Sequence, residues 1–332
     1  MLFNHNKAPM NPSDSQALPP YIERSGEQVY PPPFSALNTG LFAFAVDADR
    51  AVLQGRICDR YLNAPLGGVQ RFVPALSQVF FIFNSIEALR SQAPGWDVRG
   101  WFPEQEAAVW VLVADLETER MFWFHPYMLV DNAYALSMGR EIYGFPKALG
   151  WFDLPAGPDA PLHLGVETVA VKDFVLATEG LRAPLFSVRQ VAGNDEPPLV
   201  AGIEEIGHLM RELVAMAGVD GHWFESLGLS ARLLEDLLQL RLPMVFLKQI
   251  RDGLDPSRCC YQAIQEVSVQ LTRFIAARIY GQTYEVCIND LASHPVRADL
   301  GLPAGPVPVR FALWTNFDFT IGPCTAIWKT TP

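Results

Sequence analysis

The sequence predicts a mostly β protein of the α+β class, with antiparallel strands in the core and helices packed outside. Three observations carry this prediction. Apolar residues come in short runs of 4–6 residues that Asp, Asn, Pro or Gly closes, as is typical of strands and turns. Residues 162–189 alternate between apolar and polar side chains, the pattern of half-buried strands. An extended apolar stripe at helical spacing is confined to the region 202–241.

The first half of the chain contains five of the short apolar runs. We predict them as strands: Leu41–Val46, Val79–Phe83, Val109–Ala114, Met121–Phe124 and Tyr127–Val130. The polar residues Glu117–Arg120 predict a turn that makes Leu112–Phe124 a hairpin. Ala48–Leu53 and Ser85–Arg90 are predicted as short helices.

A helical segment interrupts the second half of the chain. Residues 162–189 predict two or three strands. Apolar residues recurring every three to four positions from 203 to 217 predict a helix, and Ser230 as an N-cap predicts another over Ala231–Leu240. We interpret 202–241 as a helical insertion. Strands are predicted to resume at Met244–Gln249, Gln262–Thr272, Thr283–Ile288 and Val309–Phe319.

Composition and charge restrict the possible partners. The chain has 332 residues, of which 50% are hydrophobic, so it can bury a large core in one domain or two. The net charge of −11 and the lack of a basic run argue against nucleic acid or an anionic membrane as a partner. The sequence has no run of 18 apolar residues and no apolar leader, so no membrane span is expected.

The cysteines and the N-terminal residues add two further expectations. The five cysteines contain no Cys-x-x-Cys pair, which predicts reduced thiols and a cytoplasmic location. Residues 1–35 are polar and rich in proline, and they end near Pro31–Pro33. They predict an N-terminal arm that is disordered or lies over a partner subunit.

Lys147 has the most informative surroundings in the chain. It is the only charged residue between Tyr143 and Phe152, in a segment punctuated by Gly and Pro. A lysine held against apolar walls loses hydration, which lowers its pKa and leaves a free amine. Such an amine can condense with a carbonyl to give a Schiff base. The alternative interpretation is a structural lysine whose stem passes its aromatic neighbours.

The same segment resembles the Schiff-base segment of the acetoacetate decarboxylase family. The matching sequence segments are Asp131-Asn132, Gly139-Arg140-Glu141, Phe145-Pro146-Lys147 and Leu149-Gly150. A second stretch, with Leu247–Ile250, Asp255–Cys259 and Glu266–Val269, resembles the C-terminal half of that family. The resemblance implies one domain over 36–332, built as a large antiparallel twisted sheet or cone-like barrel with peripheral helices. It also implies a homo-oligomer.

The resemblance assigns roles to the charged residues. Lys147 would form the Schiff base, and Glu104 or Glu106 would serve as the active-site acid or base, with a narrow preference for Glu104. Arg140 would contact the substrate and Glu141 would orient the lysine strand. The alternative is an ion pair between these two residues that holds the loop. If they lie in a strand, their side chains point to opposite faces, so at most one reaches the pocket.

Apolar neighbours of the lysine are expected to form the pocket. Tyr127, Met128 and Phe145 would line it; otherwise they are core residues. His125 is a candidate proton shuttle, although a core histidine is the commoner role. The sequence contains no dinucleotide-binding, P-loop or metal-ligand motif that would indicate a different function. We therefore expect neither a cofactor nor a metal.

Two positions depart from the family pattern. Ala148 stands where family decarboxylases commonly have a second lysine, and an active-site arginine aligns loosely with Thr39. The alanine removes a possible electrostatic contribution to a lowered lysine pKa, although burial alone can still lower it. The missing arginine weakens recognition of a small carboxylate and favours a larger or less charged carbonyl compound. The sequence therefore predicts a cofactor-free lyase that decarboxylates a β-keto acid. The alternatives are a Schiff-base aldolase, dehydratase or cyclase for a larger oxo acid, and a non-catalytic cup that binds a carbonyl compound or lipid.

Overall fold

The computed structural model describes residues 20–23, 29–159, 163–192, 199–201, 204, 241–281 and 283–330. Within these residues twelve strands form one sheet. They are β1 (Phe34–Asp47), β2 (Phe72–Ser91), β3 (Phe102–Asp115), β4 (Arg120–Val130), β5 (Lys147–Asp153), β6 (His163–Ala170), β7 (Leu181–Ala192), β8 (Leu199–Ala201), β9 (Arg241–Arg251), β10 (Cys259–Tyr280), β11 (Thr283–Ile288) and β12 (Val307–Lys329).

Short helices lie between the strands. The helix α1 (Arg50–Leu53) begins after the N-cap Asp49 and continues as a π-helix over Gln54–Asn63 and a 3-10 turn over Ala64–Leu66. The helix α2 (Ala133–Met138) continues as a π-helical turn over Gly139–Tyr143, and α3 is Val296–Leu300. The predicted class, mostly β with a large antiparallel sheet and peripheral helices, is confirmed. None of the described helices is long and apolar enough to span a membrane.

The sheet closes on itself in two circuits that share five strands. β12, β1, β2, β3 and β4 are paired in that order in both circuits. The first circuit returns from β4 to β12 through β9 and β10, and the second returns through β5, β6, β7 and β11. The pairs are antiparallel except that β4 runs parallel to β5 and to β9.

Each circuit encloses its own core, which explains why the shared strands are apolar on both faces. On β2, Phe80 and Ile82 pack in the first core, which also contains Phe246 of β9. Phe81 and Phe83 pack in the second core, where both rings contact Phe186 of β7. The chain itself therefore covers both faces of these strands.

Most predicted elements are found, and one is wrong. The hairpin of β3 and β4 is confirmed, since Asp115 pairs with Arg120, and α1 confirms part of the helix predicted over Ala48–Leu53. The helix predicted at Ser85–Arg90 is wrong, because this segment is the last part of β2. Its backbone pairs with β1 on one side and β3 on the other, so tertiary pairing outweighs local helix preference.

The predicted helices of the 202–241 insertion fall almost entirely outside the described residues. Of the predicted arm 1–35, only residues 20–23 and 29–35 are described, and β1 already begins at Phe34. Tyr30 packs against Trp96 and Tyr134, and the Tyr21 hydroxyl donates to Glu141. These described parts of the arm therefore contact the body of their own chain.

Candidate active site

A cavity of about 80 Å³ lies inside the first circuit of strands, with polar residues set among apolar walls. The polar residues are Thr39, Asn84, Glu104, Glu106, His125 and Lys147. The apolar walls include Phe34, Leu41, Ile86, Leu89, Trp110, Met128, Met138, Tyr143, Phe145, Leu242, Met244, Val269, Phe317, Phe319 and Ile321. The cavity is therefore a largely apolar chamber with one cluster of charged side chains.

The alternation of β3 brings both carboxylates into this cavity. Side chains at alternate positions of a strand share a face, so Glu104, Glu106 and Trp110 all point inward. In the neighbouring strand β2, Ile86 pairs with Glu104 and Asn84 pairs with Glu106. Both carboxylates are almost fully buried, at 2% and 7% exposure.

Lys147 reaches the carboxylates because its side-chain stem passes directly over Gly139, which has no side chain. It is the first residue of β5 and lies opposite Met128 of β4 in parallel register. A Cβ at Gly139 would lie 2.6 Å from Cδ of Lys147, so glycine leaves the space through which the lysine stem passes. Nη1 of Arg140 donates to the carbonyl oxygen of Lys147 at 3.0 Å. This bond holds the start of β5 in place.

Lys147 and the two glutamates form one buried charge cluster. Nζ of Lys147 donates to Oε1 of Glu104 at 2.6 Å and lies 3.4 Å from Oε2 of Glu106. Nδ2 of Asn84 donates to Oε1 of Glu106 at 3.1 Å. Glu104 therefore has the closer contact with the amine, and Glu106 is held between the amine and an amide.

The prediction that Lys147 titrates well below an ordinary lysine is wrong for the unliganded site. Burial alone favours the neutral amine, but the negative charges of Glu104 and Glu106 outweigh it and raise the pKa of Lys147. Burial, together with repulsion from Glu104, also raises the pKa of Glu106 to about 6, although Lys147 and Asn84 oppose this rise. The prediction considered burial by the apolar neighbours of the lysine and not the direct contact of two carboxylates with its amine.

The cluster can still produce a nucleophile, because the amine and an acid share a hydrogen bond. Transfer of one proton from Nζ of Lys147 to Glu104 would leave a free amine and a neutral carboxylic acid. Two buried charges disappear in this transfer, so the desolvation penalty of the ion pair is released. The product pair contains the two groups that imine formation needs, an amine that attacks a carbonyl and an acid that protonates the departing oxygen.

The other predicted pocket residues divide into two groups. Phe145 and Met128 line the cavity, and the Phe145 ring centroid lies 5.7 Å from Nζ of Lys147. The prediction that Tyr127 lines the pocket is wrong: it packs against the second core and donates to Asp299 at 2.7 Å. An irregularity in the β3–β4 pairing between Val109 and Val111 changes which side chains of β4 point inward.

Arg140 and Glu141 do not reach the cavity, so the predicted contact of Arg140 with substrate is wrong. They lie in the π-helical turn rather than a strand, and both are exposed. They line a separate open cleft of about 560 Å³, on the other side of Phe145 and Phe246. No ion pair joins them in the described part of the chain; Glu141 accepts from Tyr21 instead.

Several cavity residues had no assigned role in the sequence prediction. Asn84 and Trp110 were not singled out, Thr39 was noted only as the position of a missing arginine, and His125 was read mainly as a core residue. Trp110 lies six positions after Glu104 on the same face of β3, but the predicted strand Val109–Ala114 began after Glu104 and so did not connect them. Asn84 interrupts an apolar run that is buried on both faces, which is also an informative position for an amide.

His125 is buried beside the charge cluster and is neutral. Burial lowers its pKa to about 3, and the positive charge of Lys147 contributes to this. Its ring stacks on Trp110 with centroids 4.6 Å apart and the planes 8° from parallel. A proton shuttle that must become cationic near neutral pH does not fit this environment. Across the described residues, no group of three metal-ligating side chains occurs.

Comparisons with known proteins agree with the fold and with the lysine segment. The acetoacetate decarboxylase family model matches residues 84–178, a range that contains Glu104, Glu106 and Lys147. This match confirms the resemblance found in the sequence. Comparison with curated protein sequences gives no match.

Solved structures of similar fold cover nearly the whole chain at low identity. Acetoacetate decarboxylase from Legionella pneumophila subsp. pneumophila str. Philadelphia 1 is 14% identical, with a TM-score of 0.61, over 95% of this chain and 93% of that chain. The enduracididine biosynthesis enzyme MppR complexed with pyruvate is 13% identical, with a TM-score of 0.53, over 90% of this chain and 92% of that chain. An acetoacetate decarboxylase-like enzyme from Sphingomonas wittichii RW1 is 14% identical, with a TM-score of 0.51, over 91% and 96% of the two chains.

Proposed function

We propose that this chain, which resembles the acetoacetate decarboxylase family in its fold and in its lysine-bearing segment, is a cofactor-free lyase that forms a Schiff base at Lys147. The observation that carries the proposal is the buried hydrogen bond of 2.6 Å between Lys147 and Glu104 at the wall of an apolar cavity. The substrate proposed first is a β-keto acid, whose ketone Lys147 attacks.

The first stage makes the imine. Nζ of Lys147 gives a proton to Glu104, and its lone pair then forms a bond to the carbonyl carbon while the π electrons of the carbonyl move to oxygen. A proton then moves from the nitrogen to this oxygen, which yields a neutral carbinolamine. Glu104 returns its proton to the carbinolamine oxygen, so that oxygen leaves as water. The product is an iminium ion with its positive charge on the former lysine nitrogen.

The second stage breaks the carbon–carbon bond. The electron pair of the bond to the carboxylate moves into the iminium, so CO2 leaves and a neutral enamine remains. A carboxylic acid then protonates the enamine carbon, and water hydrolyses the new iminium to release the ketone. Glu106 suits the protonation step, since its pKa of about 6 keeps a fraction of it neutral near physiological pH.

A second candidate keeps the Schiff base but changes the bond that is made or broken. Ala148 replaces the second lysine, and no arginine is among the residues that line the cavity in the described chain. The enzyme MppR, of similar fold, has been solved with the condensation product of pyruvate and imidazole 4-carboxaldehyde. These observations favour an aldol condensation, dehydration or cyclisation of a larger oxo acid as the alternative reaction.

A third candidate, from a different class, is a non-catalytic cup for a carbonyl compound or lipid. The raised pKa of Lys147 favours it, because a permanently protonated lysine is not a nucleophile. The cup and the enzymes differ in one respect: only the enzymes require the amine to lose its proton when a ligand binds.

Turnover measurements with a matched lysine control test the proposal. Release of CO2 from acetoacetate and from 3-oxohexanoate should vanish in Lys147→Arg, because the guanidinium stays protonated and cannot form an imine. Lys248→Arg is the control: Nζ of Lys248 donates to the carbonyl of Ile142 and is not part of the cavity wall. We expect its rate to stay within about threefold of wild type, since Lys248→Arg keeps the positive charge and lies outside the cavity wall.

Three outcomes separate the candidates. Loss of CO2 release in Lys147→Arg alone supports the decarboxylase. An adduct with oxo acids in the absence of CO2 release from any β-keto acid supports the second candidate. Neither adduct nor turnover supports the cup, and equal turnover in wild type and Lys147→Arg would contradict the Schiff-base mechanism.

A further inference from the structure

Unpaired polar atoms are concentrated on the wall of the Lys147 cavity. Among the described residues, eight buried side-chain nitrogen or oxygen atoms have no hydrogen-bond partner. Five of the eight belong to residues that line this cavity: Oγ1 of Thr39, Oδ1 of Asn84, Nε1 of Trp110, and Nδ1 and Nε2 of His125. Buried polar groups in native proteins are nearly always satisfied. Their grouping in one cavity indicates that a bound molecule completes them.

The chemistry of these atoms restricts what that molecule can be. The indole nitrogen of Trp110 can only donate, so its partner must be an acceptor. The hydroxyl of Thr39 and one nitrogen of the neutral His125 can also donate. Thr39 and His125 are each 1% exposed, and the contacts of His125 with Trp110 and Phe246 fix its ring. The wall therefore presents rigid, uncharged donors together with two acceptors, Oδ1 of Asn84 and the second nitrogen of the neutral His125.

The same wall offers no charge that could neutralise a carboxylate. Lys147 is the sole cation among the described residues that line the cavity, and it is already paired with Glu104. Most of the remaining lining is hydrocarbon, including Leu89, Leu242 and Ile321. A carboxylate in this cavity would have to be held by hydrogen bonds from neutral groups, with its carbon chain against the apolar walls.

We propose that Trp110, His125 and Thr39 form a neutral subsite that binds the carboxylate of an oxo acid, and that the apolar walls select an acid with a hydrocarbon chain. The assignment deepens the proposed function and rests on it. A carboxylate is the acceptor that fits best, because hydrogen bonds to a charged acceptor are roughly twice as strong as those between neutral groups. The cavity of about 80 Å³ has room for about five to eight waters at ~10–15 Å³ each, which matches a chain of moderate length.

Neutral donors also suit the proposed reaction. In decarboxylation the negative charge leaves the carboxylate and moves towards the iminium. A strong ion pair with the carboxylate would stabilise the ground state more than the transition state and would slow this step. Uncharged donors hold and orient the carboxylate, and they oppose its loss as CO2 less than a guanidinium would.

Binding of hexanoate tests the subsite without any Schiff-base chemistry, because hexanoate has no ketone. We would titrate hexanoate into wild-type protein, Trp110→Phe and Thr39→Val by calorimetry. Thr39→Val keeps the shape of the side chain and removes its donor, whereas Trp110→Phe keeps an aromatic ring but removes the indole donor together with part of the ring. The Kd of hexanoate should rise by roughly 10- to 100-fold in each variant, the range for a hydrogen bond to a charged group. Hexan-1-ol has the same chain without the charge. Its Kd should differ between wild type and each variant by less than about threefold, since a neutral hydrogen bond contributes less binding energy.

Trp123→Phe is the matched control. Trp123 contacts the Trp110 ring but is not part of the cavity wall, so hexanoate should bind this variant as it binds wild type. The proposed subsite is contradicted by any of three results: hexanoate does not bind wild-type protein, neither donor variant weakens the binding of hexanoate, or the donor variants weaken the binding of hexanoate and of hexan-1-ol equally. Melting curves of both donor variants show whether a loss of binding reflects a loss of fold.

Borohydride reduction with 3-oxohexanoate, a β-keto acid, separates this proposal from the proposed function. An adduct at Lys147 together with unchanged hexanoate binding in both donor variants removes the subsite and keeps the Schiff-base lyase. Donor-dependent hexanoate binding without any adduct shows that the subsite exists and removes the lyase. Donor-dependent binding with an adduct at Lys147 supports both.

Discussion

Replacement of Gly139 by alanine should disable the lysine without unfolding the protein. Gly139 has helical backbone angles, with φ −60° and ψ −47°, so alanine is compatible with the backbone there. Its added Cβ would lie 2.6 Å from Cδ and 3.1 Å from Cε of Lys147. Ordinary carbon–carbon contacts are about 3.5–4.0 Å, so the lysine stem must move by about 1 Å.

This displacement acts directly on the charge cluster. The hydrogen bond between Nζ of Lys147 and Glu104 is 2.6 Å long, and a shift of about 1 Å takes it beyond hydrogen-bonding distance. Misplacement of a reacting group by that amount can reduce a rate by about 100-fold, which corresponds to about 2.7 kcal/mol in the activation barrier. Alanine also reduces the entropy of the unfolded chain, by about 0.4–1 kcal/mol in free energy, which offsets part of the lost packing.

The assay compares Gly139→Ala with Gly157→Ala. A Cβ at Gly157 would meet no atom within 4 Å, so this control has the same chemical change without the contact. We would measure the rate of imine formation by borohydride quenching, and the melting temperature by circular dichroism. The reasoning is refuted if Gly139→Ala reacts within about threefold of wild type or if Gly157→Ala loses as much activity, because the rates would then not depend on the position of the lysine.

Two pH-dependent predictions follow from the buried titratable groups. The pKa of Glu106 is raised to about 6, so the stability from its neutral form is complete below its ordinary pKa and is lost as the pH rises through 6. In urea unfolding, the free energy of unfolding of Glu106→Gln should therefore equal that of wild type near pH 4 and exceed it by about 2 kcal/mol near pH 8. An equal difference at both pH values would contradict this. The pKa of His125 is lowered to about 3, so the stability from its neutral form is present above its ordinary pKa and is lost as the pH falls. When the pH falls from about 7.5 to about 4.5, the free energy of unfolding of His125→Phe should decrease by about 2–3 kcal/mol less than that of wild type. Equal decreases in both proteins would show that His125 does not cause the loss of stability in acid.

The strands could be predicted from local patterns, but their partners could not. Short apolar runs located most of the strands correctly. The run Val79–Phe83 was predicted as a strand, but the sequence did not show that the chain encloses two cores, one on each side of it. The failure at Ser85–Arg90 has the same origin, since strands on both sides of this segment determine its conformation.

The candidate site was predictable where its residues share one strand or one segment. The resemblance to the acetoacetate decarboxylase family placed Glu104 or Glu106 at the lysine, and both are within 4 Å of Nζ. The electrostatic state of Lys147 was not predictable, because the sequence does not give the distance between its amine and Glu104, which lies on a different strand. Tyr127 was misplaced because the irregular pairing near Val109 changes which side chains face inward, and local spacing does not reveal such an irregularity.

Trapping of the imine tests the central claim most directly. The chain has five lysines, at positions 7, 147, 172, 248 and 329, so peptide mapping by mass spectrometry can assign a reduced adduct to one of them. After incubation with a panel of oxo acids and borohydride, we predict a single adduct at Lys147 that is absent from Lys147→Arg and retained in Lys248→Arg. An adduct at Lys248, whose pKa is lowered by burial, or no adduct with any acid in the panel, would contradict the account.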